Sequence, residues 1–132
     1  MPRIKHLGHV VLYVSDPAAS AKWYNDVLGM ETVTFNERIP AAFLSFGIRD
    51  HDIALFQAPP GRTLGHHDVE HVSTEIDGSL AELKEFYSSL LRKNVVVLGV
   101  MDHGISYGCT SWIPTGTTSR SFANTNLTRG RR

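Results

Sequence analysis

Residues 8–24, GHVVLYVSDPAASAKWY, and residues 70–87, EHVSTEIDGSLAELKEFY, can be laid over one another, and that overlay decides the fold. His9 meets His71, Val10 meets Val72 and, with one inserted residue, Tyr24 meets Tyr87. Each stretch opens on an extended run beginning His-Val and passes into a helical pattern. In the first, Asp16 is placed to cap, Pro17 takes the first helical position and Gly29 follows the last periodic residue, while Ala21, Tyr24 and Leu28 share one face. In the second, Ser79 and Glu82 have capping-box spacing, and basic residues close the helix near Asn94. Three extended runs follow the first helix, METVTF, AAFLSFG and HDIALFQA, punctuated by Pro40, by Gly47 with Asp50, and by Pro59-Pro60-Gly61. The second helix is followed by one, VVVLGVM. The repeat of about 60 residues is too long and too few for a solenoid, so two fused modules are expected, each βαβββ in an α+β fold.

The modules span about 4–58 and 69–108 of a single domain, 1–108, and the second needs two more strands after Met101. The stretch that stands there has another character. From Cys109 to Arg132 there is no Asp or Glu, nine of 24 residues are Ser or Thr, and neither strand nor helix periodicity is sustained. The second module is therefore expected to be incomplete at its C-terminal end, with 109–132 an irregular tail and any strand in it short.

The formal charge is zero but unevenly spread: nine Lys and Arg face 13 acids in residues 1–108, and the tail carries four Arg alone. A nucleic-acid surface is not expected, because the only positive excess lies in that tail. The single Cys109 excludes an intramolecular disulfide. No apolar run is long enough to span a membrane, and MPRIKH is not a signal sequence, so the chain reads as cytoplasmic without a membrane partner.

Of seven histidines, His9 and His71 occupy equivalent places in the repeat, which makes them candidate ligands for one shared metal. His66 and His67 lie in a polar loop and read as solvent residues. HVVLYVSDPAASAKWYNDVLGM, RDHDIALF, EHVSTEI and DHGISYG together resemble the vicinal-oxygen-chelate superfamily: glyoxalases, bleomycin-resistance proteins and type I extradiol dioxygenases. The resemblance runs from about Ile4 to Gly108. It implies two βαβββ modules forming a cupped mixed sheet around a divalent metal, with His9 and His71 as ligands. Glyoxalase-like members place a carboxylate ligand where this chain has Ala54, and no acid lies between Asp52 and Asp68. The resemblance is therefore closer to the extradiol branch, whose metal set is two His and one Glu, leaving room for a catechol-like aromatic substrate and O2. It implies Fe(II), with Mn(II) or another divalent metal as alternatives, His51 as an acid or base beside the substrate, His103 as a contact to substrate or oxygen, and a homodimer as an assembly to test. Members without a full metal set bind small molecules in the cup, which is the alternative function.

The extradiol pattern continues beyond its last His with Leu-Tyr, Asp-Pro-x-Gly and a Glu, and this chain departs from it after Gly108. Shifting the codons of CTSWIPTGTTSRSFA by one base permits LYFLDPDGNHIEVFC. The junction of Trp112 and Ile113 gives Asp whatever the codon choice. The tail thus reads as the expected strand out of frame after Gly108, which removes the third ligand and leaves the enzyme impaired as written.

Overall fold

The computed structural model describes residues 1, 5–64, 71–102, 106–114 and 120–128, with side chains at 107–111 but not beyond. The chain divides into two compact units, the first running through Leu64. The first holds β1 (Val10–Val14), α1 (Pro17–Leu28), β2 (Glu31–Asn36), β3 (Ala41–Ser45) and β4 (Ile53–Gln57). The second holds β5 (His71–Glu75), α2 (Leu80–Arg92), β6 (Val97–Asp102), β7 (Ser106–Pro114) and β8 (Arg120–Thr128). The α+β class and the βαβββ repeat are both present.

Each unit has a four-stranded mixed sheet, ordered β1-β4-β3-β2 in the first and β5-β8-β7-β6 in the second. The first strand pairs in parallel with the last, and the remaining pairs are antiparallel. The parallel pair needs a crossover, which the helix and two strands between supply.

Local chemistry explains the helices. The Asp16 carboxylate accepts from the Ala18 and Ala19 N–H groups at 3.0 Å each, and Pro17 brings a preset φ with no N–H to satisfy. Gly29 ends α1 at φ 70°, a left-handed conformation that costs glycine little. Asn25 then fastens the exit, donating to the Met30 carbonyl at 2.6 Å and accepting from Thr32 at 3.1 Å. At α2 the capping box is complete: the Ser79 N–H donates to Glu82 at 2.7 Å, and the Ala81 N–H donates to the Ser79 hydroxyl at 3.2 Å. Bonding to Ser79 holds the Glu82 carboxyl below its usual range.

In the first unit Leu12 and Val14 of β1, Ala42 and Leu44 of β3, and Ile53 and Leu55 of β4 are buried, together with Ala21, Tyr24 and Val27 of α1. The second is thinner. Among the described residues its buried apolar side chains are Leu83, Leu90, Val95 and Cys109.

The expected irregular tail is corrected at the level of the backbone. β7 and β8 are nine residues each and pair continuously from Ser106 with Thr128 to Pro114 with Arg120. The ladder is made by backbone groups, which any sequence other than proline supplies, and Thr is well suited to strands. Pro114 does not interrupt a strand but ends one. The second module nonetheless remains partly incomplete: its buried core is the smaller among the described residues, and neither β7 nor β8 carries an acidic residue.

Tyr24 is 1% exposed and its hydroxyl has no hydrogen-bond partner among the described residues. Removing that oxygen is expected to help, so Tyr24→Phe should stabilise the protein by about 1 kcal/mol in urea unfolding. Burial holds the phenol far above its usual range. Below pH 10 it is neutral whether folded or unfolded. Above it the unfolded phenol ionises while the folded one keeps its proton, so stability falls by up to about 1.4 kcal/mol per pH unit. That alkaline loss should be smaller by this amount in Tyr24→Phe, measured as urea midpoints from pH 9 to 11.

Candidate functional site

His9 immediately precedes β1, and His51 closes the turn between β3 and β4. Parallel pairing brings them together. The Val10 N–H donates to the Asp52 carbonyl at 3.0 Å, and Val10 opposes Ile53 in the register, so the residues just before each strand are neighbours. The two imidazole centroids lie 4.5 Å apart with the rings tilted by 42°. Phe43 stands edge-on to His51 at 5.4 Å and to Phe56 at 5.9 Å. Strand alternation puts His9, Val11 and Tyr13 on the face opposite Leu12 and Val14, and the register adds Ala54, Phe56 and Phe43 to it. This face, away from α1, is an aromatic floor with two imidazoles at one end. Arg62 lies at its other end, 4.5 Å over the Tyr13 ring.

The turn that carries His51 is held by its own polar side chains. The Ser45 hydroxyl donates to the Arg49 carbonyl at 2.7 Å and accepts from the Gly47 N–H at 2.9 Å, while Asp52 accepts from the Phe46 N–H at 2.9 Å. The Gly47 φ of 91° favours glycine. Asp50 lies 3.1 Å from His51 Nδ1. A hydrogen bond from the His51 backbone N–H leads the effects that hold the exposed Asp50 carboxyl below its usual range.

Arg49, inside the quoted RDHDIALF motif but given no role by the sequence, ties the turn to the segment bearing His9. Its Nη1 donates to the carbonyls of Leu7 at 2.6 Å and Gly8 at 3.2 Å. No sequence periodicity signals such a side-chain-to-backbone tie across 41 residues.

His71 is the first residue of β5, exposed and equivalent to His9 in element order. It belongs to the second unit. His103 lies outside the described residues, as do His66 and His67. Ala54 occupies the position expected of a glyoxalase-type carboxylate, on the floor between Val11 and Phe43. Among the described residues no three His, Cys, Asp or Glu converge on one point. Imidazoles suit a borderline divalent ion, and among the described residues no third His, Cys, Asp or Glu side chain joins His9 and His51 in a donor set.

Residues 6–110 match the model of the Glyoxalase/Bleomycin resistance protein/Dioxygenase superfamily. The chain belongs to this superfamily. Solved structures agree on the fold. A glyoxylase/bleomycin resistance protein/dioxygenase domain from Frankia sp. EAN1pec superposes with a TM-score of 0.76 at 16% identity, covering 96% of this chain and 100% of that one. An integron cassette protein from the Halifax Harbour sewage outfall metagenome gives 0.75 at 19%, covering 94% and 99%. The fosfomycin resistance protein FosX from Listeria monocytogenes, complexed with Mn(II) and sulfate, gives 0.69 at 12%, covering 96% and 93%. Superfamily members often hold a divalent metal and act on small molecules, often as dimers. No helix among the described residues is long and apolar enough to cross a membrane.

The Arg49 tie generates a prediction. Arg49→Gln should leave the fold intact at a cost of about 1 kcal/mol, reduced from a buried charged bond because the side chain is partly exposed. Amide hydrogen exchange at Val10, whose N–H is bonded to the Asp52 carbonyl, should accelerate about fivefold, while that of β3 stays unchanged.

Proposed function

We propose that this chain descends from a metal-dependent, extradiol-type ring-cleaving dioxygenase acting on a catechol-like aromatic diol, and that as written it is impaired. The single observation that supports this most is the pair of imidazoles 4.5 Å apart, one at the start of β1 and one in the turn before β4, above an aromatic floor without an acid. In this reading His9 and, by the repeat, His71 are metal ligands. His51 takes a proton from the diol or returns one to the product, and His103 contacts substrate or oxygen. An imidazole suits such acid–base work because its ordinary titration range brackets neutrality. Phe43 restrains the His51 ring, and the aromatic floor is apolar enough to take one face of a planar diol. Fe(II) is the metal proposed, with Mn(II) next; when bound it would supply a charged centre to gather the diol oxygens and O2. Both atoms of O2 enter the opened ring, so no external reductant is needed. A cytoplasmic location and a homodimer accompany the proposal.

The impairment follows from the tail. The family match ends at residue 110, two residues beyond Gly108, where the reading frame is proposed to change. The last strand, where the third ligand is expected, reads RSFANTNLT and offers no carboxylate. Sequencing the gene around the Gly108 codon tests the frame directly. For the function, the chain as written and a frame-restored version are loaded anaerobically with Fe(II), desalted and analysed for iron and catechol cleavage. The restored chain should retain close to one iron and form yellow product, and the chain as written should lose most of its iron and at least a hundredfold in rate. A restored chain that neither holds iron nor cleaves catechol overturns the dioxygenase reading.

The aromatic floor favours a second reading, a small-molecule-binding module without catalysis. Binding of a planar aromatic ligand that is unchanged by chelator would support it over the first.

A further inference from the structure

The second unit contains a cavity of about 410 Å³ between α2 and the β6–β7 edge, lined by no residue of the imidazole pair or its floor. Leu80, Leu83 and Tyr87 line it from the helix, and Met101, Tyr107 and Cys109 from the strands. Its origin is a shortage of side-chain volume. Beneath α2, β7 buries the small side chains of Cys109 and Ser111, while in the first unit α1 packs on β3 and β4, where Leu44 and Leu55 are buried. A gap with apolar walls gains little from water and much from an apolar guest.

We propose that this cavity is a binding site for a small, uncharged aromatic molecule of one or two rings. The volume lies within the range of small-ligand sites. Leu80, Leu83 and Val100 offer aliphatic contact, and the buried Cys109 brings a sulfur atom that packs favourably against an aromatic ring. Two further lining residues, Lys84 and Asp102, are exposed and opposite in charge, so the entrance favours no ion of either sign. The inner wall gives no ion a counter-charge, because Leu83 and Cys109 are both buried. A neutral ring matches this arrangement and a carboxylate or amine does not.

The site makes no use of the imidazoles and stands whether or not the chain is a dioxygenase. Cys109 is the only cysteine and forms part of the wall, so its reactivity reports occupancy. Burial pushes its thiol up, which makes the reaction slow enough to follow. Indole serves as the probe and methyl methanethiosulfonate as the thiol reagent, with the whole chain folded in buffer. Indole at about 1 mM should slow modification of Cys109 about tenfold, as for a dissociation constant near 0.1 mM, and should raise Tm. Benzoate at equal concentration should do neither. Leu80→Trp, at a partly exposed position in the first turn of α2, plugs the entrance without disturbing buried packing and should abolish both effects of indole. The proposal is overturned if indole changes neither the Cys109 rate nor Tm of the unsubstituted chain, or if it protects Leu80→Trp equally well.

Discussion

One hydrogen bond fixes the chemistry of the first unit: the Val10 N–H donating to the Asp52 carbonyl. It opens the parallel ladder of β1 on β4, which closes at the other end with the Ala58 N–H on the Val14 carbonyl at 2.8 Å. Parallel register is what sets two residues 42 positions apart, His9 and His51, side by side. A slip of one residue would turn His9 and Tyr13 into the helix-packed core and Leu12 and Val14 out to solvent. The buried Leu12, Val14 and Leu55 therefore hold the imidazole pair together, although none of them touches it in a chemical sense. Arg49 and Asp52 reinforce the same junction from the turn.

The second unit repeats the topology with weaker means. Its parallel pair, β5 on β8, aligns His71 with Phe122 and Glu75 with Asn126, but the burial of β5 alternates only between exposed and half-buried. Beneath α2 the small residues of β7 leave the volume that the first unit fills with leucine. The sheet survives because backbone hydrogen bonding is indifferent to most side chains. The core is thinner, because packing depends on their volume.

The sequence made the fold legible wherever two signals coincided. Asp16-Pro17 with Gly29, and Ser79 with Glu82, bounded the helices closely, since caps and left-handed glycine are local chemistry. The repeat was legible because His-Val and Tyr recur at matched places. β7 and β8 were not legible: their Ser, Thr and Asn residues show no alternation, and their place is given by pairing with β6 and with β5, the latter distant in sequence. At the site, His9 and His51 could each be singled out, but their adjacency is a property of the β1–β4 register. Arg49 carried no signal at all, because its partners are the carbonyls of Leu7 and Gly8, which every residue type possesses.

This division between backbone and side chain bears on the frame change proposed for the tail. A shifted reading frame changes every side chain and leaves the peptide groups intact, so a strand with an obligatory partner on both sides can still form. What cannot be recovered is whatever a specific side chain supplied. In the shifted reading, positions 109 and 111 become Leu and Phe, large apolar residues at the two places on β7 where the present chain buries a thiol and a hydroxyl. The same reading places an acid within the β8 segment that now has none. The proposed change of frame would account for two independent shortages, of volume under α2 and of negative charge on the final strand. Neither shortage predicts the other on packing or electrostatic grounds alone.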